Sequence, residues 1–364
     1  MRELALWLLL TSVAHAQGTP EHLFAGSPRG PYATGTREEL WVDATRDELA
    51  TPKEDARHLL VQLWYPTEQA GALAPYALDR ERYPRDALEG WLDAAANVRT
   101  TSTRDAPVLD AKLPVLLYGP GSWHPHFSAT FQTEFLASHG YLVMAISHPG
   151  ADRCQRFPDG YRYAYDVGSP GVSDSLEVLL APRLLDLRFV LDRLHALHER
   201  DPFYAHADLA HVGALGWSLG GAIAVHAARD DARIQAAADL DGSFFSDVVS
   251  TGTPRPLLLM HSEEPCAPAQ CKRTRAEFEQ LLRNTRAPWY QVRLARSRHL
   301  HFSDRTLLEP ADPALLHPRL AHDIINVFTL EFFDRHLRGR TDTPLLAGKL
   351  RYPEAKVRAG PSPR

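Results

Sequence analysis

Short apolar runs alternate with longer amphipathic segments along most of the chain. The apolar runs predict buried strands at His58–Pro66, Leu113–Gly121, Tyr141–Gly150, His211–Ser218, Ala236–Gly242, Pro256–Ser262 and Trp289–Ala295. Between them, helical spacing relates Leu184, Leu187, Leu191 and Leu194. A long last helix is predicted around Ile324–Phe332, and Gly339 is expected to end it. This alternation is typical of βαβ units, and it predicts an α/β fold with a mostly parallel central sheet.

Two long stretches interrupt the alternation, at residues 68–112 and 151–175. Both follow predicted strands, where the ligand crevice of an open α/β sheet lies, so they are candidate pocket walls or lids; the alternative is that they are surface loops. Since the sequence has no internal repeat and no linker, we expect a single domain over residues 17–347. The polar, proline-containing tail, residues 348–364, is expected to fray.

The N-terminal residues have the pattern of an export signal. Arg2 precedes the apolar run Leu4–Leu10, and Ala14-His15-Ala16 matches the small-x-small pattern of a cleavage site. We therefore predict a signal peptide over residues 1–16 and export to the periplasm or the extracellular space. The alternative is an apolar helix that stays in place. No later segment reaches the length of about 20 apolar residues that spans a bilayer, so a soluble mature protein is expected.

The charge and the cysteine content narrow the classes of partner and of cellular compartment. The chain has 40 Lys+Arg against 45 Asp+Glu, a net charge of -5, and no basic block with interleaved aromatics, which argues against a nucleic-acid partner. Of the three cysteines, Cys266 and Cys271 bracket the sequence CAPAQC. In an exported protein these two could close a short disulfide loop and leave Cys154 free; three unpaired thiols are the alternative.

The sequence Gly216-Trp217-Ser218-Leu219-Gly220 satisfies the pattern G-x-S-x-G. In this motif the serine turns sharply between a strand and a helix, so the residues two positions away must be tiny. An apolar strand precedes it here and the helical sequence GGAIAVHAARD follows. We therefore predict that Ser218 is a nucleophile; a structural glycine-rich turn is the alternative.

A serine hydroxyl needs a base, and seven histidines follow Ser218: His226, His261, His299, His301, His317, His322 and His336. His226, His317, His322 and His336 fall in predicted helices, and His261 ends a strand. The segment RSRHLHFSD follows the strand at Trp289–Ala295 and so has the expected loop position. His299 is preferred to His301, because Phe302 and Asp304 resemble a packing residue and a helix start.

Two places could supply the acid that orients this histidine. Asp239 and Asp241 end one strand and share a face, with Asp241 nearer the carboxyl edge where active sites lie. Glu263 and Glu264 follow the next strand. Spacing alone does not decide between these two places.

The chain resembles the plasma-type platelet-activating factor acetylhydrolase family of α/β-hydrolases, and more distantly the dienelactone and polyester hydrolases. The resemblance covers residues 58–338 and is carried by VQLWYPTE, LPVLLYGPGS, FLASHGYLVMAISHPG, GWSLGG, DLDG and HLHFSD. It implies the α/β-hydrolase fold, with helices on both faces of the sheet. In that family the acid follows the strand after the serine, and the histidine lies in the pattern H-x-x-F-[SA]-D. The resemblance therefore implies Ser218, Asp241 and His299 as the triad.

Two departures from the family concern the oxyanion hole and the elbow. Where relatives have a sequence like His-Gly-Leu-Gly, this chain has Tyr118-Gly119-Pro120-Gly121-Ser122, and proline has no N–H to donate. We expect the N–H groups of Leu219 and Gly121 to form the hole, with Ser122 as the alternative to Gly121. Trp217 stands where many relatives have histidine. Polyester hydrolases also have tryptophan there, with the acid after the following strand, which keeps Glu263 and Glu264 open.

The resulting prediction is an exported serine esterase for short-chain esters or acetylated phospholipid-like substrates. It needs no cofactor, its partner is a small-molecule or lipid ester, and it could make transient contact with a membrane or lipid surface. The alternatives are a polyester or cutin-like hydrolase and a non-catalytic binding protein that retains the fold. Two His-x-His pairs, His124/His126 and His299/His301, raise the possibility of zinc. One pair already belongs to the triad and no carboxylates accompany the other, so no metal is expected.

Overall fold

The computed structural model describes most of the chain between residues 24 and 360. The described residues are 24, 29–48, 55–83, 93, 95–149, 156–161, 176–244, 247–349 and 352–360. The predicted signal peptide and Cys154 lie outside them, as does most of the segment 151–175.

The described strands form one mixed sheet. They are β1 Ala33–Asp47, β2 Ala56–Thr67, β3 Leu73–Pro75, β4 Arg99–Arg104, β5 Leu113–Gly119, β6 Leu142–Ile146, β7 Ala207–Trp217, β8 Ile234–Leu240, β9 Leu257–His261, β10 Trp289–Leu294 and β11 Ala355–Ala359. Their order in the sheet is β11-β10-β9-β8-β7-β5-β6-β2-β1-β4-β3. The neighbours from β6 to β10 are all parallel, whereas β2 and β11 join this central part in antiparallel orientation.

Helices follow the central strands, as the alternation in the sequence predicts. They are α1 Thr130–Ser138, α2 Leu176–His198, α3 Leu219–Asp230, α4 Val248–Thr251, α5 Pro268–Asn284, α6 Arg305–Leu308 and α7 Pro318–Leu337. A 3-10 turn, His299–Phe302, lies between β10 and α6. Gly339 has a φ of +68°, the left-handed conformation that ends a helix, just after α7.

Alternating side chains of the central strands form two apolar cores, one on each face of the sheet. In β5, Leu116 and Tyr118 point into one core with α1 and α7, whereas Val115 and Leu117 point into the other with α2 and α3. Because both faces are covered, the parallel strands are apolar almost throughout. This is the α/β-hydrolase fold that the sequence predicts, and it brings the carboxyl ends of β5, β7, β8, β9 and β10 to one edge.

The structure corrects two expectations, one about the C-terminal tail and one about the segment 68–112. The tail does not fray throughout, because β11 pairs with β10 from Tyr290↔Ala359 to Leu294↔Ala355, and Ala355 and Val357 pack on the core. The segment 68–112 contributes β3 and β4, which extend the far edge of the sheet beside β1. It is therefore not simply a lid. Within the described residues, no helix is long and apolar enough to cross a membrane.

Candidate active site

Ser218 occupies the sharp turn between β7 and α3. Its backbone has φ 57° and ψ −125°, a strained conformation for a residue other than glycine. Its N–H donates to the Leu240 carbonyl at 2.8 Å, which ties the turn to β8. A Cβ added to Gly216 would lie 2.4 Å from the backbone of Gly220, and one added to Gly220 would lie 2.0 Å from the Gly119 carbonyl oxygen. The two glycines of the motif are thus required by close backbone contacts.

Asp241 and His299 are joined by a hydrogen bond. The Nδ1 atom of His299 lies 2.7 Å from Oδ2 of Asp241, which leaves Nε2 as the other ring nitrogen. Asp241 follows β8 and has a φ of 57°, and its N–H donates to the Met260 carbonyl at 2.8 Å. Its carboxylate also accepts the backbone N–H of Ser262 at 2.7 Å and the Ser262 hydroxyl at 3.0 Å.

These contacts favour the ionised form of Asp241. Burial raises the pKa of its carboxyl, but the hydrogen bond to His299, the charge of that ring and the Ser262 N–H outweigh burial, so the pKa is lowered. An ionised acid beside Nδ1 fixes the tautomer that leaves Nε2 unprotonated in the neutral ring. Asp241 and His299 are therefore arranged as an acid and a base.

Asp239, two residues earlier on the same strand, has the opposite character. It is fully buried beneath the elbow, and one carboxylate oxygen accepts the Gly242 N–H at 3.2 Å. A Cβ added to Gly221 or Gly242 would lie 2.1 Å from the other oxygen, Oδ1. Burial and the nearby charge of Asp241 raise the pKa of Asp239 well above its usual value. The two aspartates share a face of the strand, but only Asp241 reaches the histidine.

The rival histidines are occupied elsewhere. His301 is buried, accepts the Arg298 N–H at Nδ1 and lies 2.9 Å from the Leu316 carbonyl at Nε2. His261 ends β9, and burial lowers its pKa to about 4. His226 lies in α3, His322 and His336 lie in α7, and His317 precedes α7. Phe302, the last residue of the 3-10 turn, is buried in the core, which supports its predicted packing role.

Asp304 does more than start a helix. It precedes α6, but its carboxylate accepts the N–H groups of Thr130 and Phe131, in the first turn of α1, at 2.6 and 3.0 Å. Its own N–H donates to the Ser128 carbonyl at 2.8 Å. The loop that carries His299 is therefore fixed to the helix that follows the Tyr118–Ser122 segment, a link that the sequence does not reveal.

Glu263 and Glu264 lie beside the site but do not reach the imidazole. Glu263 accepts the Arg296 N–H at 3.3 Å and pairs with Arg293 at 3.2 Å. Glu264 accepts the backbone N–H of His299 at 2.8 Å. Asp241, not either glutamate, contacts the His299 ring, so the geometry favours the acid that the family resemblance implies.

The two expected oxyanion donors come from different elements. Leu219 is the first residue of α3, where backbone N–H groups lack partners within the helix. Gly121 is buried against Trp217, and a Cβ added to it would lie 2.7 Å from the indole ring. The loop is held by Arg183, which donates to the Pro120 carbonyl at 3.1 Å, and Trp123 has a φ of 66°.

Trp217 connects the two halves of the site. It is buried, its Nε1–H donates to the His299 carbonyl at 3.1 Å, and its ring lies 4.9 Å from the imidazole. His124 contacts the same indole edge-on at 4.5 Å. His126 is buried and lies 3.1 Å from Glu38, so the pair His124/His126 does not converge on one point. Among the described residues, no group of three or more His, Cys, Asp or Glu side chains could hold a metal ion.

An open cavity of about 1030 Å³ contains Ser218, Asp241 and His299 in its wall. It extends from these three side chains along α5, β10 and β11, where charges of both signs line it: Glu263, Glu264, Glu279, Arg275, Arg293, Lys356 and Arg358. Cys266 and Cys271 also line it and form a disulfide bond, which settles the pairing that the sequence left open.

The order of the strands and the position of these side chains at their carboxyl ends are those of the α/β-hydrolase fold. The chain is 24% identical to a probable 1-alkyl-2-acetylglycerophosphocholine esterase of Arthroderma benhamiae, over 67% of this chain and 65% of that relative. The match thus spans slightly less than two thirds of the relative's length. It confirms the resemblance to the platelet-activating factor acetylhydrolases that the motifs indicate.

A solved structure supports the same class. The chain is 28% identical to a ferulic acid esterase from Streptomyces cinnamoneus and superposes on it with a TM-score of 0.76. The superposition covers 91% of this chain and 98% of the esterase. No family model matches the sequence. Both proteins are named as esterases, although the acyl groups in their names differ.

Proposed function

We propose that the protein hydrolyses carboxylic esters through an acyl-enzyme on Ser218. The observation that carries this proposal is the 2.7 Å contact between His299 Nδ1 and Asp241 Oδ2, in the wall of the same cavity as the strained Ser218. A serine on such a turn, a histidine and an ionised acid are the parts that acyl transfer requires. The esterase names of both relatives support the same bond type.

In the proposed mechanism, Ser218 Oγ attacks the ester carbonyl carbon while Nε2 of His299 takes the hydroxyl proton. Asp241 holds the ring and stabilises its positive form. The N–H groups of Leu219 and Gly121 bind the oxyanion. When the intermediate collapses, the bond to the alcohol breaks and His299 returns the proton to the leaving oxygen. Water then attacks the acyl group with the same base, which releases the acid and regenerates Ser218.

For the substrate, we infer esters with a short acyl group. The named substrate of the Arthroderma relative contains an acetyl ester, which supports a small acyl part. Trp217 directly precedes Ser218, as a tryptophan does in the polyester hydrolases that are the predicted alternative. The open cavity would also admit a polymer chain. Activity on polymer films would favour that alternative.

The test is a panel of p-nitrophenyl esters of rising acyl length, assayed with wild type and with Ser218→Ala. We expect hydrolysis that falls with acyl length in wild type and is lost in Ser218→Ala. A fluorophosphonate probe should label Ser218 in the folded protein and leave Ser218→Ala unlabelled. If the folded wild type takes no label and cleaves none of the esters, the chain is a binding protein that retains the fold, and the proposal is wrong.

We also propose export, on the basis of the leader pattern in residues 1–16. The Cys266–Cys271 disulfide supports it, since such bonds persist in oxidising compartments. Fractionation of cells that express the full chain, followed by N-terminal sequencing of the product, tests this. We expect a product in the exported fraction that begins at Gln17. A product in the cytosol that keeps residues 1–16 would contradict it.

A further inference from the structure

Three consecutive residues after β9 each contact a different part of the site. Ser262 holds the Asp241 carboxylate through its N–H and its hydroxyl. Glu263 accepts the Arg296 N–H, and Glu264 accepts the His299 N–H at 2.8 Å. This short segment, residues 262–264, therefore contacts both the acid and the loop that carries the base.

Glu264 contacts the backbone of His299 at the start of its turn, where the contact can set the orientation of the imidazole. His299 begins the 3-10 turn, and the first N–H groups of a helical turn have no partner within it. A carboxylate that accepts such an N–H makes a charge-assisted bond, about twice as strong as a neutral one. On the other side, Trp217 donates to the His299 carbonyl at 3.1 Å. Both backbone polar groups of His299 are thus held by side chains from other elements.

The disulfide fixes the segment that carries Glu264. Cys266 lies two residues after Glu264, and Cys271 lies in the first turn of α5, where its N–H donates to the Ala267 carbonyl at 2.9 Å. Residues from Glu264 to Gln270 are exposed, so little apolar packing orders them. The helix itself is anchored by the buried Leu281 and Leu282. The disulfide therefore connects an exposed turn to a fixed helix.

We propose that Glu264 is a positioning residue for His299, and that the Cys266–Cys271 disulfide holds Glu264 in place to do so. The inference rests on the proposed function, because it assigns His299 as the base. Neither Glu264 nor the disulfide takes part in proton transfer. Glu264 sets where the His299 backbone begins its turn, and this determines whether Nε2 meets the Ser218 hydroxyl while Nδ1 still meets Asp241.

The first test compares Glu264→Ala with Glu264→Gln, which keeps an oxygen that can accept the His299 N–H. Because small displacements of a catalytic group are costly, we expect Glu264→Ala to lower kcat roughly 10-fold, with KM changed by less than about twofold. Glu264→Gln should recover most of the loss. Glu277→Ala is the matched control: it removes a surface glutamate on α5 that pairs loosely with Arg273, at 3.8 Å, and should act as wild type.

The second test asks whether the disulfide acts through Glu264. The double variant Cys266→Ser/Cys271→Ser should lower kcat several-fold in the wild-type background, in the same direction as Glu264→Ala. In the Glu264→Ala background it should change kcat by less than about twofold, because residues that act as a unit are not additive. Fully additive losses would mean that the disulfide acts by another route, and that half of the proposal would be wrong.

A third measurement does not depend on activity. Amide hydrogen exchange of the peptide that contains residues 295–303 should be faster in Glu264→Ala than in wild type, and near wild type in Glu264→Gln. If kcat and the exchange rate are both unchanged in Glu264→Ala, the positioning role is overturned. Loss of ester hydrolysis in Ser218→Ala would still support the proposed function. If the wild type cleaves no ester, the proposed function fails and the exchange result alone decides whether Glu264 orders the loop. Loss of activity in Glu264→Gln comparable to that in Asp241→Asn would make Glu264 the acid and overturn the role assigned to it.

Discussion

The two sides of the site are held in different ways. On the acid side, at the ends of β8, β9 and β10, polar side chains fix the geometry: Ser262 holds Asp241, Asp241 holds the imidazole and Glu264 holds the His299 backbone. On the oxyanion side, after β5, shape and packing dominate: Gly121 lies against an indole, and Arg183 is the side chain that donates to the Pro120 carbonyl.

The difference has a physical reason. In the proposed mechanism, the acid side must hold charge on Asp241 and on the imidazolium of His299, and buried charges need hydrogen-bonding partners. The oxyanion side must present backbone N–H groups at a fixed point, which close packing of a glycine loop accomplishes without any charge. Trp217 connects the two sides, since it contacts Gly121 with its ring and His299 with its Nε1–H. The acid side should therefore respond to changes of charge, and the oxyanion side to changes of volume.

The largest effect is expected on the acid side, from Asp241→Asn. The amide cannot act as an ionised partner for Nδ1–H and favours the wrong tautomer of the ring, so kcat should fall by about 10³–10⁴. The assay is hydrolysis of p-nitrophenyl acetate by purified protein with an unchanged unfolding transition. Glu264→Gln is the control and should lose little. A severe loss in Glu264→Gln with a mild one in Asp241→Asn would reverse the assignment of the acid.

On the oxyanion side, Gly121→Ala adds one methyl group and no charge. Its Cβ would lie 2.7 Å from the buried indole of Trp217, so the loop must move. Displacing one oxyanion donor costs about 10²–10³ in rate, and we expect a loss of kcat in that range. Ser122→Ala, which keeps both backbone N–H groups and adds no volume, should retain activity. A Gly121→Ala enzyme with the kcat of wild type would exclude Gly121 as a donor and favour the N–H of Ser122.

The same comparison explains how far the sequence could predict the site. Ser218 and the central strands follow from apolar patterning and the close glycines, because these are local constraints. The acid could not be chosen from spacing, since Asp241 and Glu264 follow neighbouring parallel strands; the contact with the His299 ring separates them. Apolar runs give no signal for β1 or β11, because polar residues interrupt the apolar positions in both strands.

Long-range contacts between side chains and backbone are the part that no local pattern carries. The Asp304 carboxylate accepts N–H groups from residues more than 170 positions away in the chain. Trp217 stands out in the sequence only as a departure from the family's histidine, and its bond to the His299 carbonyl depends on how β7 and the 3-10 turn pack. These contacts between the two sides require the assembled sheet, so sequence patterns give no signal for them.

A smaller effect is expected where the two sides meet, from Trp217→Phe. The phenyl ring keeps most of the packing against Gly121, but the hydrogen bond to the His299 carbonyl is lost. A neutral hydrogen bond contributes about 1 kcal/mol, so we expect kcat to fall by roughly fivefold. The loss should be smaller in the Glu264→Ala background if both side chains position the same turn. A Trp217→Phe variant as impaired as Gly121→Ala would show that packing, and not the bond, is what Trp217 supplies.

The smallest effect on activity is expected at Asp239, a fully buried carboxyl on the acid side that does not reach His299. Burial and the charge of Asp241 raise the pKa of Asp239 in the folded protein, so between the unfolded and folded pKa values only the folded state keeps the proton. Stability from this group is complete at low pH and is lost as pH rises, by about 1.4 kcal/mol for each pH unit in that interval. Asp239→Asn replaces the titrating carboxyl with an amide that does not titrate. It should therefore flatten the dependence of stability on pH in this interval.

Urea unfolding of wild type and Asp239→Asn from pH 5 to pH 8 measures this slope. The variant should gain stability relative to wild type as pH rises, while its kcat on p-nitrophenyl acetate changes by less than about twofold, because Asp239 does not reach the histidine. A difference in stability that is constant with pH would mean that Asp239 is ionised in the folded protein. The acid side would then hold two adjacent charges, and its contrast with the oxyanion side would be larger than the hydrogen bonds alone indicate.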